Sequence, residues 1–317
     1  MLKLLVKFSI APLLLSAATL APAAQLSTDA RGAIPHDLQQ LVVIDYRAME
    51  NSTAAMNLRN RVMPPELKSF DEALQKSGLN DNHDVDELAF ALFRSSSGSD
   101  TLDTVGIAQG QFSEQDIMAT FRKQKLKATM VRTNSIYPMT KAGMMLCFVD
   151  PSTMIFGEKE AVVKALDARD GVGASMLTNA PMMSAMLSVD SSTLWSILDK
   201  KGTQTMMEQL IGQAGSVTDF ATVNKRLESS WYSMDFLHGV KFDLTIATGD
   251  PFSASTVSSL LTAAVMVRKM SSTDAEKQAL TATSIVANGT HLTIAFASTD
   301  TEFSSLLKSP LFQSMVR

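Results

Sequence analysis

Apolar and polar positions follow a recurring order along the chain: a short apolar run, a polar turn, and then a stretch with helical spacing. In the first part of the chain, this pattern predicts strands at residues 41–46, 88–94, 104–112, 128–137, 144–149 and 154–156. Apolar residues three or four positions apart predict helices at residues 54–62, 67–76, 113–125 and 158–169. Ser113 and Asp116 have the spacing of a capping box, which marks the start of the third helix.

The second part of the chain repeats this order. Strands are predicted at residues 193–198, 230–237, 240–247, 284–287 and 290–297. Helices are predicted at residues 203–212 and 251–270, and also after the capping residues Thr273 and Thr299. The dipeptide Asn288-Gly289 between the last two strands is typical of a tight β-hairpin.

The two parts of the chain share the order βα-ββα-ββα. We therefore predict an α+β fold of two similar halves, residues 36–180 and 181–317, with mainly antiparallel sheets covered by helices. The shared order and spacing indicate an internal duplication, although few residues are identical between the halves. One continuous domain without duplication is the alternative.

The N-terminal residues have the pattern of a secretory signal. Lys3 and Lys7 precede an apolar region at 8–20, and Ala21-Pro22-Ala23 has the small residues that a signal peptidase accepts. We expect cleavage near residue 24, a disordered lead-in over 25–35, and export to the periplasm or the outside of a bacterium. The apolar region is too short for a membrane span, so a retained anchor helix is the weaker alternative.

Composition narrows the classes of partner. The chain has 28 basic and 32 acidic residues, and loss of Lys3 and Lys7 with the signal takes the net charge from −4 to about −6. No basic stripe is present, which argues against nucleic-acid binding. No run of 18 apolar residues follows the signal, so we expect no transmembrane segment in the mature chain. A single cysteine, Cys147, excludes an internal disulfide, and its apolar surroundings predict a buried, inert thiol.

Catalytic motifs are missing from the sequence. The four histidines are far apart, and no nucleophile elbow or dinucleotide fingerprint occurs. The least poor catalytic candidates are Asp235, His238 and Asp243, which lie close together around one predicted turn. We expect no cofactor.

Metal ligands are equally sparse. Asn80, Asn82 and Asp84 alternate as in a calcium loop, but Val85 and Ala91 stand where such a loop needs Gly and Glu. We therefore interpret this stretch as a solvated loop. The 20 methionines include clusters such as Met182-Met183-Met186 and Met266-Met270, which could bind copper but are more typical of flexible core packing.

Aromatic residues suggest where a ligand could bind. Trp231 and Tyr232 lie in one strand, on opposite faces, and Trp195 lies in an earlier strand. Trp231 shares its face with Ser233 and Asp235, a combination that suits a sugar or peptide groove, although core packing with satisfied polar tips is the favoured interpretation of these aromatics.

These observations favour an exported protein that is not an enzyme and that binds an unknown small ligand or a protein partner, in a cleft or across a sheet face. A hydrolase with an unfamiliar site and a metal-buffering protein are the alternatives.

Overall fold

The computed structural model describes residues 25–79, 84–95, 101–211 and 220–315, and the predicted signal at 1–24 lies outside these ranges. Twelve strands form one sheet in this part of the chain. The strands, named β1 to β12, are Leu38–Asp45, Val85–Arg94, Leu102–Gly110, Thr129–Val131, Asn134–Pro138, Met144–Asp150, Thr153–Glu158, Leu194–Leu198, Leu227–Asp235, Val240–Thr248, Thr283–Asn288 and His291–Ser298.

Helices connect these strands. The helices, named α1 to α13, are Thr28–Gly32, Tyr46–Glu50, Thr53–Val62, Pro65–Lys76, Glu114–Lys123, Lys159–Arg169, Ala180–Met186, Lys200–Ile211, Phe220–Asn224, Pro251–Ser271, Asp274–Thr281, Asp300–Leu306 and Pro310–Met315. A single 3₁₀ turn, Met176–Thr178, precedes α7. Within the described ranges, no helix combines the length and the apolar character that a bilayer-spanning segment requires.

The strand order has two matching halves. Neighbouring strands follow the order β11-β12-β10-β9-β8-β1-β2-β3-β7-β6-β5-β4, and the paired strands are antiparallel. Hairpin β4–β5 has no counterpart in the second half, and without it each half has five strands. Counted outward from the central β1–β8 pair, these five strands follow the same order in both halves: first, second, third, fifth and fourth along the chain. The predicted α+β fold of two similar halves is confirmed, and the halves share one sheet.

Helices cover the two faces of the sheet unequally. The face that carries Val43, Ala89 and Trp195 is here called the front face. Helices α1 and α6 bury it over the first half, and α7 packs on β8 and β9 at the start of the second half. The back face, which carries Phe90, Leu194 and Leu244, is covered along both halves. The helices that cover it include α3, α4, α5, α8, α10 and α12.

Residues 25–35 differ from the prediction of a disordered lead-in. Helix α1 begins after Ser27, whose hydroxyl accepts a hydrogen bond from the Ala30 N–H at 3.1 Å. Leu26, Ala30 and Ile34 are buried in the core of the front face. A helix this short is not stable alone, so packing against the sheet forms it, and local periodicity could not reveal it.

Helix α5 lacks the predicted capping box. The Ser113 hydroxyl lies 2.5 Å from the Asp116 carboxylate and makes no capping hydrogen bond to the backbone. The capping boxes at Thr273 and Thr299 are present, each with a glutamate at the third helical position.

The predicted strand at 128–137 is a hairpin of β4 and β5. Arg132 adopts a left-handed φ of 52° between them, which reverses the chain.

Candidate functional site

The second half leaves part of the front face uncovered. Helix α10 packs on the back of β10 and β12 through Val257, Leu260 and Leu261. Opposite it, the front face of β9 to β12 carries small polar, charged and a few apolar side chains. This surface, here called the open face, comprises Trp231, Ser233, Lys241, Asp243, Thr245, Ser284, Val286, His291, Thr293 and Ala295.

Strand register places these residues on one surface. Thr245 of β10 lies opposite Trp231 of β9 and also opposite Thr293 of β12, which in turn faces Val286 of β11. Because side chains alternate between the faces of a strand, Lys241, Asp243 and Thr245 of β10 and His291 and Thr293 of β12 point away from α10. The sequence therefore builds a half-solvated sheet here, unlike the inner strands of the first half, which are covered on both faces.

Trp231 lies at the inner border of the open face. One side of its half-buried ring packs against the front core, and its centroid is 5.9 Å from that of the exposed His291 in an edge-on arrangement. The Thr290 hydroxyl is 3.3 Å from His291 Nδ1, within hydrogen-bond range. Trp231 thus offers an aromatic edge beside polar groups, which suits a contact with another molecule.

The other two aromatic candidates lie elsewhere. Trp195 is only 2% exposed in the front core. Tyr232 is turned to the back face and packs against Phe242, with ring centroids 5.8 Å apart. Burial raises the pKa of the Tyr232 phenol, while hydrogen bonds from Ser196 and Gln40 oppose this effect. Neither side chain is placed to meet a ligand at the surface.

The catalytic candidates are not assembled. Asp235 accepts hydrogen bonds from the Thr193 N–H and hydroxyl, at 3.2 and 3.4 Å, and lies opposite Lys241 in the sheet. Asp243 and His238 are exposed, and within the described residues neither side chain has a hydrogen bond or an ion pair. The hydrogen bond that would make His238 a general base beside a carboxylate is thus missing from this geometry.

Of the three metal candidates, Asp84 alone lies within the described residues. Asn80 and Asn82 lie outside the described residues; the backbone carbonyl of Asp84 accepts a hydrogen bond from the Gln111 N–H at 2.8 Å. Within the described ranges, no group of three His, Cys, Asp or Glu side chains has the arrangement of a metal site.

The methionines divide into two groups. Met182 and Met186 are buried in the front core, as core packing predicts. Met266 and Met270, on the last turns of α10, are 64% and 86% exposed, so the prediction of core packing is wrong for this cluster. The helix extends beyond the sheet that its first half covers, and linear spacing cannot show where a sheet ends.

Cys147 is a buried thiol, as predicted. It is fully enclosed in the front core, and burial is the largest cause that raises its pKa to about 11. A protonated, enclosed thiol is a poor nucleophile.

Sequence reasoning missed two features. The first is a cleft of about 780 Å³ beside α6, whose lining includes Lys164. The Lys164 ammonium contacts the Asp37 carboxylate at 2.7 Å, the Arg94 carbonyl at 2.9 Å and the Phe93 ring at 4.6 Å from its centroid. These partners are distant from Lys164 in sequence. They already bind its ammonium group, so that this group is not free to bind a ligand.

The second missed feature is a pair of buried carboxyl groups, Asp45 and Glu87, opposite each other on β1 and β2. Glu87 is 1% exposed, and burial, followed by the charge of Asp45, raises its pKa to about 8, while Arg31 partly opposes the shift. The signal in the sequence was Glu87 itself, a glutamate near the start of an otherwise apolar strand.

The fold and the candidate site define an α+β protein with one antiparallel twelve-stranded sheet, helices on one face throughout and an open half on the other. No protein-family model and no curated protein matches the sequence. The fold is similar to crystal form I of TP0453, with a TM-score of 0.52 and 11% identity over 90% of this chain and 98% of that chain. Crystal form III of TP0453 has a TM-score of 0.52 and 10% identity, over 89% of this chain and 98% of that chain. At this identity the likeness concerns the fold alone.

Proposed function

We propose that this chain is an exported, non-catalytic binding protein whose open face docks against a partner protein. The open face carries the proposal, because helices pack on the back of β9 to β12 but leave much of the front of these four strands accessible. The N-terminal pattern of Lys3, Lys7, the apolar region and Ala21-Pro22-Ala23 supports export.

The form of the surface favours a protein over a small ligand. Small ligands bind in concave, mainly apolar pockets, and the cleft beside α6 lies away from this surface. The open face instead spreads over four strands. Trp231 and His291 supply the aromatic contacts found near interface centres, and Lys241 and Asp243 supply charges of both signs at the exposed positions.

We also infer that the two halves arose by internal duplication. Their matching strand orders support this inference. So do two equivalent helix starts: Asp45 accepts a hydrogen bond from the Ala48 N–H at 2.8 Å, and Asp199 accepts one from the Gly202 N–H at 2.7 Å. Asp45 is the last residue of β1 and Asp199 directly follows β8, and these two strands are the innermost of their halves.

Site-specific photo-crosslinking in producing cells tests the proposed interface. A photoreactive residue at Asp243, on the open face, should form a crosslink with one partner protein, whereas one at Glu72, on the back-face helix α4, should not. Thr245→Arg beside the probe should abolish the crosslink, because a long charged side chain would hold the partner away. Protein isolated from the exported fraction should begin at Ala24 or Gln25.

The crosslinked partner is then identified by mass spectrometry and purified. Its affinity for the wild-type chain should exceed its affinity for Thr245→Arg at least tenfold, about 1.4 kcal/mol. Absence of a crosslink at Asp243, equal crosslinking at Glu72, or an unchanged affinity would reject the open face as the docking surface.

A further inference from the structure

Glu87 lies on the front face of β2, at one end of the sheet's covered half. Asp45 of β1 is opposite it on one side and Gln109 of β3 on the other. Its side chain is 1% exposed, and the Oε1 atom is buried without a hydrogen-bond partner in the described part of the structure. An ionised carboxylate in this position would lose its hydration without gaining a hydrogen bond at Oε1 in return.

Helix α1 packs on the front face close to this carboxyl group. The Ser27 N–H, at the start of the helix, donates a hydrogen bond of 3.0 Å to Gln109 Oε1, and Gln109 is the direct neighbour of Glu87. Ala30 is fully buried against the same face. Residues 25–34 thus form a strap over the ends of the central strands.

Three charged groups act on Glu87. Asp45 of β1 and Asp86 of its own strand disfavour its ionisation, and Arg31 of α1 favours it. Asp86 also forms an ion pair with Arg47 of α2. The favourable charge, Arg31, therefore belongs to the strap itself. Its effect on the pKa of Glu87 is smaller than the combined effect of burial and the two neighbouring acids.

We propose that helix α1 is a proton-dependent strap, which is held on the sheet while Glu87 is protonated and opens when Glu87 ionises. Opening admits water to the carboxylate, which a closed strap excludes. The open state therefore favours the ionised form, and the closed state favours the neutral acid.

The direction of the pH effect follows from the proton balance. In the closed state the pKa of Glu87 is about 8, against its ordinary value of 4.5. The closed state binds the extra proton between these pH values, so the strap loses stability as the pH rises through this window. Between pH 6 and pH 9 the opening equilibrium should increase on the order of a hundred-fold.

Amide hydrogen exchange measured by mass spectrometry tests this proposal on the full mature chain. Protection of residues 25–34, corrected for the intrinsic pH dependence of exchange, should fall on the order of a hundred-fold between pH 6 and pH 9 in the wild type. Glu87→Gln mimics the neutral acid, so its strap should remain protected at both pH values. Glu72→Gln, an exposed acid on α4, should behave as the wild type does.

Asp45→Asn gives a second, graded readout. The substitution removes one of the charges that raise the pKa of Glu87 in the closed state. The strap of this variant should therefore lose less protection than that of the wild type, and the loss should be complete at a lower pH. The proposal is overturned if protection of residues 25–34 does not change between pH 6 and pH 9. It is equally overturned if the strap of Glu87→Gln loses as much protection as the strap of the wild type. Parallel loss of protection in the buried strand β7 would also overturn it, because it would indicate global unfolding.

Discussion

At the scale of single residues, Gly106 shows how tightly the back face is packed. A Cβ at Gly106 would lie 2.2 Å from two atoms of the Phe156 ring, its neighbour across β3 and β7. The ring cannot move aside, because it stacks on Phe70 at a centroid distance of 4.7 Å and meets Phe90 edge-on at 6.0 Å. The aromatic cluster therefore depends on the absence of a side chain at residue 106.

We predict that Gly106→Ala lowers the free energy of unfolding by about 1–3 kcal/mol, the usual effect of overpacking a core. Gly32→Ala is the matched control, because the nearest atom to its new Cβ is 3.9 Å away and the change should be within about 1 kcal/mol of neutral. Urea denaturation of both variants measures the difference. Equal stability of the two variants would show that the Phe156 ring can relax.

At the scale of elements, local sequence signals succeeded where hydrogen bonds are local and failed where packing intervenes. The Thr273 and Thr299 capping boxes bind only groups within three residues, so they could be predicted. Ser113 has the same spacing, yet its hydroxyl meets the Asp116 carboxylate instead. Helix α1 has local signals in Ser27, Asp29 and Arg31, but it spans only five residues and depends on burial in the core of the front face.

The two kinds of helix start predict different mutational effects. Thr299→Ala should destabilise the protein by about 1 kcal/mol, because the Glu302 N–H loses its hydrogen bond to the threonine hydroxyl. Ser113→Ala should cost clearly less, since no backbone N–H of α5 depends on that hydroxyl. Thermal unfolding of the two variants under identical conditions makes the comparison. A larger loss for Ser113→Ala would contradict this account of the caps.

At the scale of the whole molecule, the β1–β8 pair joins the two halves into one sheet. Val43 and Leu41 lie opposite Trp195 and Ile197, and all four side chains are buried in the same core. A core that draws on both sides of this junction should make the halves unfold together.

Leu244→Ala in β10 tests this cooperativity. The substitution removes a buried side chain from the back core of the second half and should cost about 2–5 kcal/mol. Hydrogen exchange through global opening should then accelerate by a similar factor in β3 of the first half and in β10. Acceleration confined to the second half would mean that the halves are separate cooperative units.

The candidate site illustrates the limit of sequence reasoning. The sequence could place Trp231, Ser233 and Asp235 on one face of a strand, because side chains alternate with a period of two. It could not show that this face lies open or that Tyr232 lies under helices, because these facts depend on where α8 and α10 pack. The burial of Glu87 depends likewise on α1, whose contact with Gln109 spans 82 positions along the chain.

The sequence by itself determined the α+β class, the repeated order of strands and helices, and the tight hairpin at Asn288-Gly289, because alternation, helical spacing and turn chemistry are local properties. Only the tertiary structure decided that the halves share one sheet, that the second half keeps an open face, and that a carboxyl group lies beneath the N-terminal helix. These features arise from contacts between distant segments, and their free energies depend on burial that no single segment specifies.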